Sequence, residues 1–386
     1  MIRSIQKKME YFDWWIALIV LALMAFGGVM VFSSSAGMAG SPFVTMVKQV
    51  VFYVVALVIM VAVFLTNDGW IKRLGAFSWI FWLFSVGLMA LALFFPPING
   101  AKGWITFGMF SIQPVEFYKV ALIMWLAFAL TRGNRGAGAN LKTGWTAMIL
   151  RLLVGTGILY IYPDTGGIII TFGIGTMIVL GSGIRIRWSV GAMVVALAAW
   201  QFGVRAIEPI ISSSDNYGLQ RFLAYLNPWK YAQTTGNQLI NSYYAISNGG
   251  LFGRGIGNSI QKAGNLPEPN TDFIMAVVSE ELGAITVGLV VLALLTVIWR
   301  MIYFAFQTKY MRYRLLLIGV SAYLFFQIIV NLGGVGGALP ITGVTFPLIS
   351  VGGSSILSLG LSLGIALNVI AHIKREKEKS ISEGNY

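Results

Sequence analysis

The chain has 386 residues, of which 57% are hydrophobic and 11% charged, with a formal net charge of +13 and a mean hydropathy of +0.78. That balance lies far outside the range of a soluble domain and reads as an all-α integral membrane protein, one polytopic membrane domain over 1–386. Cysteine is absent and His372 is the one histidine, which excludes disulfides, thiolate sites and a histidine metal cluster. The positive charge fits membrane topology and attraction to lipid surfaces, and no basic–aromatic interleaving of the nucleic-acid-binding kind accompanies it.

Arg3, Lys7 and Lys8 precede the apolar run Trp14 to Phe32. The run is too long for the apolar core of a signal peptide and reads as a retained first span. Further runs of bilayer-crossing length lie near 44–65, 74–95, 115–131, 145–162, 166–183, 188–204, 272–299, 315–333 and 346–372, which predicts ten transmembrane helices. Only Pro163-Asp164 separates the fifth and sixth, and Arg151 interrupts the fifth, so a broken or re-entrant pair is the alternative there. The distribution of Lys and Arg places both termini in the cytoplasm. Glu116, Asp164, Glu208, Asp215, Glu268, Asp272, Glu280 and Glu281 then map to the outer loops or adjoining helices, which assigns any chemistry to the outer face. One long extracellular loop, approximately 205–271, joins spans seven and eight. Its apolar pieces Leu219–Trp229 and Leu239–Ile246 predict short amphipathic helices on the membrane surface.

Candidate site residues follow the same order. In Gly100-Ala101-Lys102-Gly103-Trp104-Ile105, Lys102 offers a cation for phosphate, while Trp104 either stacks on a sugar or anchors the interface. Glu116 and Lys119 are three apart on a helix opened by Pro114 and share a face, either as a self-neutralising pair or as a pair that presents Lys119 to a phosphate. Asp164 is either a site carboxylate or the cap of the next helix. Gly249 to Gly257 permits a backbone nest for an anion, with Arg254 and Lys262 as pyrophosphate ligands or the stretch as a plain turn. Asp272 stands where the polar loop gives way to an apolar run: a general base or metal ligand, or a helix cap with Thr271 as competitor. Glu280 lies about 80° around the helix from Asp272 and about 12 Å deeper, and is expected to line the same cavity, whereas Glu281 points nearly opposite. Ser354 and Ser355 open the last helix among small residues that favour close packing, and offer hydroxyls to a ligand.

Taken in order, Gly100-Ala101-x-x-Trp104-Ile105, Gln113-Pro114-x-Glu116-x-x-Lys119, Pro163-Asp164-x-Gly166, Leu266-Pro267-Glu268-x-x-Thr271-Asp272-Phe273-Ile274 and Gly352-Gly353-Ser354-Ser355 resemble the SEDS family of bacterial membrane proteins over essentially the whole chain. The resemblance implies a ten-helix peptidoglycan glycosyltransferase that polymerises lipid II in the bacterial plasma membrane beside a class B penicillin-binding protein and other division or elongation proteins. It further implies Asp272 as the essential aspartate, Glu116 and Lys119 as the paired residues of the fourth span, and dependence on a divalent metal, Mg or Mn, for which Asp272 is the candidate ligand. Asn227-Pro228-Trp229 and Gly257-Asn258-Ser259-Ile260-Gln261-Lys262 are similar to the division branch rather than the elongation branch, which implies work at the septum. Tyr162 and Val351 depart from the family pattern. The alternatives are a lipid II flippase or other transporter, with Glu116, Lys119 and Glu280 lining its path, and a scaffold in a division complex.

Overall fold

Helix starts follow the local chemistry. In the computed structural model, which describes residues 2–38, 40–97, 102–108, 110–131, 141–183 and 217–382, a short helix α1 (Ile2–Met9) precedes α2 (Trp14–Ser34), whose first turn Asp13 caps by accepting from the Ile16 N–H at 3.3 Å. Proline occupies the first turn of α3 (Pro42–Leu65) and of α5 (Pro114–Ala129), where its missing N–H costs nothing. Between them run α4 (Asp68–Ala92) and a small hairpin of β1 (Ile105–Phe107) and β2 (Phe110–Ile112), paired Ile105 to Ile112. Then come α6 (Leu141–Ile161) and α7 (Thr165–Gly181). The described part of the long loop holds α8 (Tyr217–Leu226) and α9 (Asn237–Gly249), which match the two amphipathic pieces expected there. The chain closes with α10 (Ile274–Gln307), α11 (Met311–Val335) and α12 (Gly353–Ser382).

Five described helices, α2, α3, α10, α11 and α12, are long and apolar enough to cross a membrane. Shorter apolar helices lie at Phe77–Ala92, Arg151–Ile161 and Thr165–Gly181. The expected span at 188–204 and loop residues 205–216 lie outside the described residues. Burial sorts centre from rim: the apolar windows of α11 and α12 are 78% and 83% buried, those of α3 and α10 only 33% and 28%. So α11 and α12 form the core, and α3 and α10 turn wide apolar faces outward, as lipid contact requires. On its inner side α3 lies directly against α12. A Cβ on Gly360 would fall 2.6 Å from the Ala56 carbonyl, so only glycine admits this approach.

Two expected boundaries move. The last helix begins at Gly353 rather than 346, because 340–352 is an irregular segment rich in proline and glycine. Side chains satisfy its backbone in place of helical bonding: Asn331 Nδ2 donates to the Val344 carbonyl at 2.8 Å, Gln327 Nε2 to that of Thr345 at 3.1 Å, Tyr53 to that of Leu348 at 2.8 Å and Gln49 Nε2 to that of Ser350 at 3.0 Å. The second shift is in α10, which runs on to Gln307 and is broken inside at Gly283 (φ 81°, ψ 171°).

Loop 249–255 repairs that break. The N–H groups of Arg254 and Gly255 donate to the Glu280 and Glu281 carbonyls at 3.0 and 2.8 Å, while the N–H groups of Ala284 and Ile285 reach the carbonyls of Gly250 and Leu251 at 2.9 and 3.3 Å. Glycine is required at 283, since φ is positive and a Cβ would meet the Leu251 oxygen at 2.2 Å. The glycine-rich loop spends the Arg254 and Gly255 amides on α10, which favours the turn reading of that stretch over the anion nest.

Candidate active site

A cavity of about 520 Å³ opens where the β-hairpin, the starts of α5 and α7, the Pro267–Phe273 segment and the irregular 342–352 segment converge. Asp272, Glu116, Lys119, Lys102, Trp104, Ser354 and Ser355 all line it. Asp164 lines it too and caps α7, accepting from the Gly167 N–H at 2.7 Å, as the cap reading expects.

Asp272 is not a helix cap. Helix α10 begins two residues later, at Ile274, without a side-chain cap, and the competitor Thr271 donates instead to the Glu268 carboxylate at 3.1 Å. Backbone bonds fix the aspartate's position: Asn331 Nδ2 donates to the Asp272 carbonyl at 2.8 Å, Ser350 Oγ to the Thr271 carbonyl at 2.6 Å, and the Val351 N–H to the Asn270 carbonyl at 2.9 Å. The half-buried Asp272 carboxylate thus sits on a short segment stitched to α11 and to the 342–352 segment.

Glu116 and Lys119 form the buried floor. Lys119 Nζ lies 2.7 Å from Glu116 Oε1 and 4.7 Å from the centre of the Tyr323 ring. Tyr323 donates to Glu116 Oε2 at 2.6 Å and shares a hydrogen bond with Ser358 at 2.9 Å. Both carboxylate oxygens of Glu116 are engaged, and its geometry suits holding Lys119 in place at the cavity wall. Ser354 Oγ accepts from the Gln113 N–H at 2.9 Å and Ser355 Oγ from Gln327 Nε2 at 2.9 Å, so these hydroxyls shape the wall as well as bordering it.

Three expected substrate-binding residues do not line this cavity. Glu280 is fully buried and accepts from Asn248 Nδ2 at 3.0 Å, from Ser259 Oγ and from the Gln261 N–H at 3.2 Å. Periodicity alone misplaced it, because the returning loop covers that face of α10. Lys262 is buried against Glu281 at 2.5 Å and Ser33 at 3.0 Å, which commits its charge to a carboxylate inside the fold. Arg254 is exposed on the loop that splices α10, outside the cavity lining.

Sequence reasoning also missed Tyr323, Gln327 and Asn331, which touch Glu116, Ser355 and the Asp272 backbone. A signal was present: the three are spaced i, i+4, i+8 in the apolar later part of α11, and so form a polar stripe on one face.

The carboxylates that line the cavity, Asp272, Glu268, Asp164 and Glu116, offer only oxygen to a metal. Among the described residues no group of three or more His, Cys, Asp or Glu could hold a metal ion. Such a set fits a hard cation of the Mg²⁺ type, held by one or two carboxylates and completed by water and substrate phosphate, and not a closed protein cage.

The family model described as "Cell cycle protein", for FtsW, RodA and SpoVE, matches residues 13–375. The chain belongs to the FtsW/RodA/SpoVE family. It is 35% identical to the probable peptidoglycan glycosyltransferase FtsW of Lactococcus lactis (97% of this chain, 96% of the relative) and 35% identical to that of Bacillus subtilis (98% and 95%). To the stage V sporulation protein E of Bacillus subtilis it is 32% identical (92% and 96%). Among solved structures it is similar to a chain of a peptidoglycan synthase complex, with TM-score 0.74 and 26% identity (94% and 98%). It is also similar to the Thermus thermophilus rod shape determining protein RodA, with TM-score 0.66 and 26% identity (93% and 96%). In this FtsW/RodA/SpoVE member, the ordered motifs that carried the resemblance to the SEDS family are those that converge on the cavity: Lys102 and Trp104, Glu116 and Lys119, Asp164, Asp272, Ser354 and Ser355.

Proposed function

We propose that the protein polymerises peptidoglycan glycan strands from lipid II, releasing undecaprenyl pyrophosphate, on the outer face of the bacterial plasma membrane and at the division septum. The observation that carries this reading is the convergence of one half-buried carboxylate, Asp272, with two cations, Lys119 and Lys102, and an aromatic ring, Trp104, on one cavity in a chain of this family.

Each group has work to do in glycosyl transfer. Asp272 accepts the proton of the attacking sugar 4-hydroxyl as that oxygen bonds to the anomeric carbon of a second lipid II. The bond from that carbon to the lipid pyrophosphate breaks, and the pyrophosphate leaves with the electron pair. Lys119 and Lys102 offset the charge that develops on it, and Trp104 presents a ring to a sugar face. A Mg²⁺ or Mn²⁺ ion held by Asp272 would supply further neutralisation of pyrophosphate. The exposed apolar faces of α3 and α10 leave room for the lipid tails alongside the bundle. A class B penicillin-binding protein and other division proteins are the partners this reading assigns.

A wall made of the buried Glu116–Lys119 pair and backed by the buried Tyr323 favours a site entered from one side over a transport path. The test is incubation of the purified protein, its class B partner and a divalent metal with lipid II. Long glycan strands are the expected product. Folded, partner-bound protein that yields none would overturn the assignment and return the flippase alternative.

A further inference from the structure

At the end of the bundle that carries both termini, a second cavity of about 540 Å³ lies between α1 and the last turns of α12. Lys7, Lys8, Arg375 and Lys379 line it against two carboxylates, Glu10 and Glu378. Glu378 is already engaged by the Tyr11 hydroxyl, which bridges the two walls. Lys8 donates to the Thr66 carbonyl and lies over the Phe64 ring, 5.5 Å from its centre, so its charge is fixed in the wall rather than trailing in solvent. The neighbouring cations Arg300 and Lys374 are spent on Asp13, at 2.6 and 2.9 Å, and do not contribute.

Charge asymmetry between membrane faces requires only scattered surface lysines. Here the cations converge on one walled cavity with an excess of positive charge. Its depth in the membrane is set by the first turn of α2, where Trp14 and Trp15 are 57% and 66% exposed, as interfacial tryptophans are. Helix α1 is strongly amphipathic, of the kind that lies along a lipid surface.

We propose that this cavity binds the phosphodiester headgroup of an anionic phospholipid, and that the site is distinct from the glycosyl-transfer cavity. The ligand is anionic because the lining is cationic. It is a lipid because the cavity lies at the level of the tryptophan belt beside an amphipathic helix, where headgroups are concentrated.

The test is native mass spectrometry of the full-length protein in detergent, titrated with phosphatidylglycerol or with phosphatidylcholine of the same chains. Wild type should retain phosphatidylglycerol in preference. Lys7→Gln/Lys379→Gln alters two exposed lysines and keeps the fold; it should reduce retention on the order of tenfold, as expected for two cations at an anionic surface. Lys309→Gln/Lys377→Gln removes the same charge from the same end but outside the cavity, and should leave retention unchanged. Equal retention of the two lipids, or equal loss in both double variants, would overturn the proposal. Displacement of the lipid by millimolar glycerol phosphate would also overturn it, in favour of a soluble phosphate ester.

Discussion

Single side chains decide the site through their partners. Asn331 gives its Nδ2 to both the Asp272 and Val344 carbonyls and so ties the Asp272 segment to the irregular segment. Asn331→Ala leaves two carbonyls without that donor, at about 1–3 kcal/mol each where they are buried. The expected result is a lower melting temperature together with a fall in kcat that exceeds any change in KM, and Asn331→Asp, which lacks the NH₂ group, should not rescue it. Lys262 and Glu281 form a different kind of pair, buried and away from the cavity. Lys262→Gln strands a buried carboxylate and should destabilise by about 3–5 kcal/mol. Lys262→Met/Glu281→Leu removes both charges and should be markedly milder in the same denaturation measurement. If the single and double variants proved equally unstable, the loss would be one of packing and not of charge.

At the scale of elements, the splice at Gly283 predicts its own failure. Gly283→Ala forces a Cβ against the Leu251 carbonyl and a positive φ on a residue that resists it. The loop should detach from α10 and expose the bond after Arg254 to trypsin, so limited proteolysis should cleave the variant there faster than wild type. At the opposite end, Asp13 joins the starts or ends of α2, α10 and α12 through Arg300 and Lys374. Burial alone would raise its pKa, but the hydrogen bonds from Arg300 and Lys374 outweigh that and hold it below the usual carboxylate value. A carboxylate depressed in the folded state contributes stability above its ordinary pKa and loses it as the pH falls through the folded value. Melting temperature should therefore drop on acidification below about pH 4, and Asp13→Asn should flatten that part of the profile.

For the whole molecule, what sequence reveals divides along physical lines. The five long apolar helices, the two loop helices and the motif residues of the cavity were legible because each depends on local hydropathy or on a fixed set of side chains. Glu280 was misplaced because its surroundings are set by an earlier loop, through Asn248, Ser259 and Gln261, that folds back onto α10. The hairpin 105–112 carries too few residues for a periodic signal, and the 340–352 segment passed for helix because its non-helical backbone is satisfied by Gln49, Tyr53, Gln327 and Asn331 from other helices. With the bonds from Asn331 and Ser350 to the Asp272 and Thr271 carbonyls, they also hold the Asp272 segment beside the 340–352 segment at the cavity.

The proposed mechanism puts the chemical burden on Asp272 and gives Glu116 the work of holding Lys119 in place. The most direct test compares lipid II polymerisation by wild type and by Asp272→Asn, both with the class B partner and metal, after equal folding and partner binding have been verified. Loss of a general base predicts a fall in turnover on the order of 10² to 10⁴. Near-normal strand synthesis by Asp272→Asn would contradict the account.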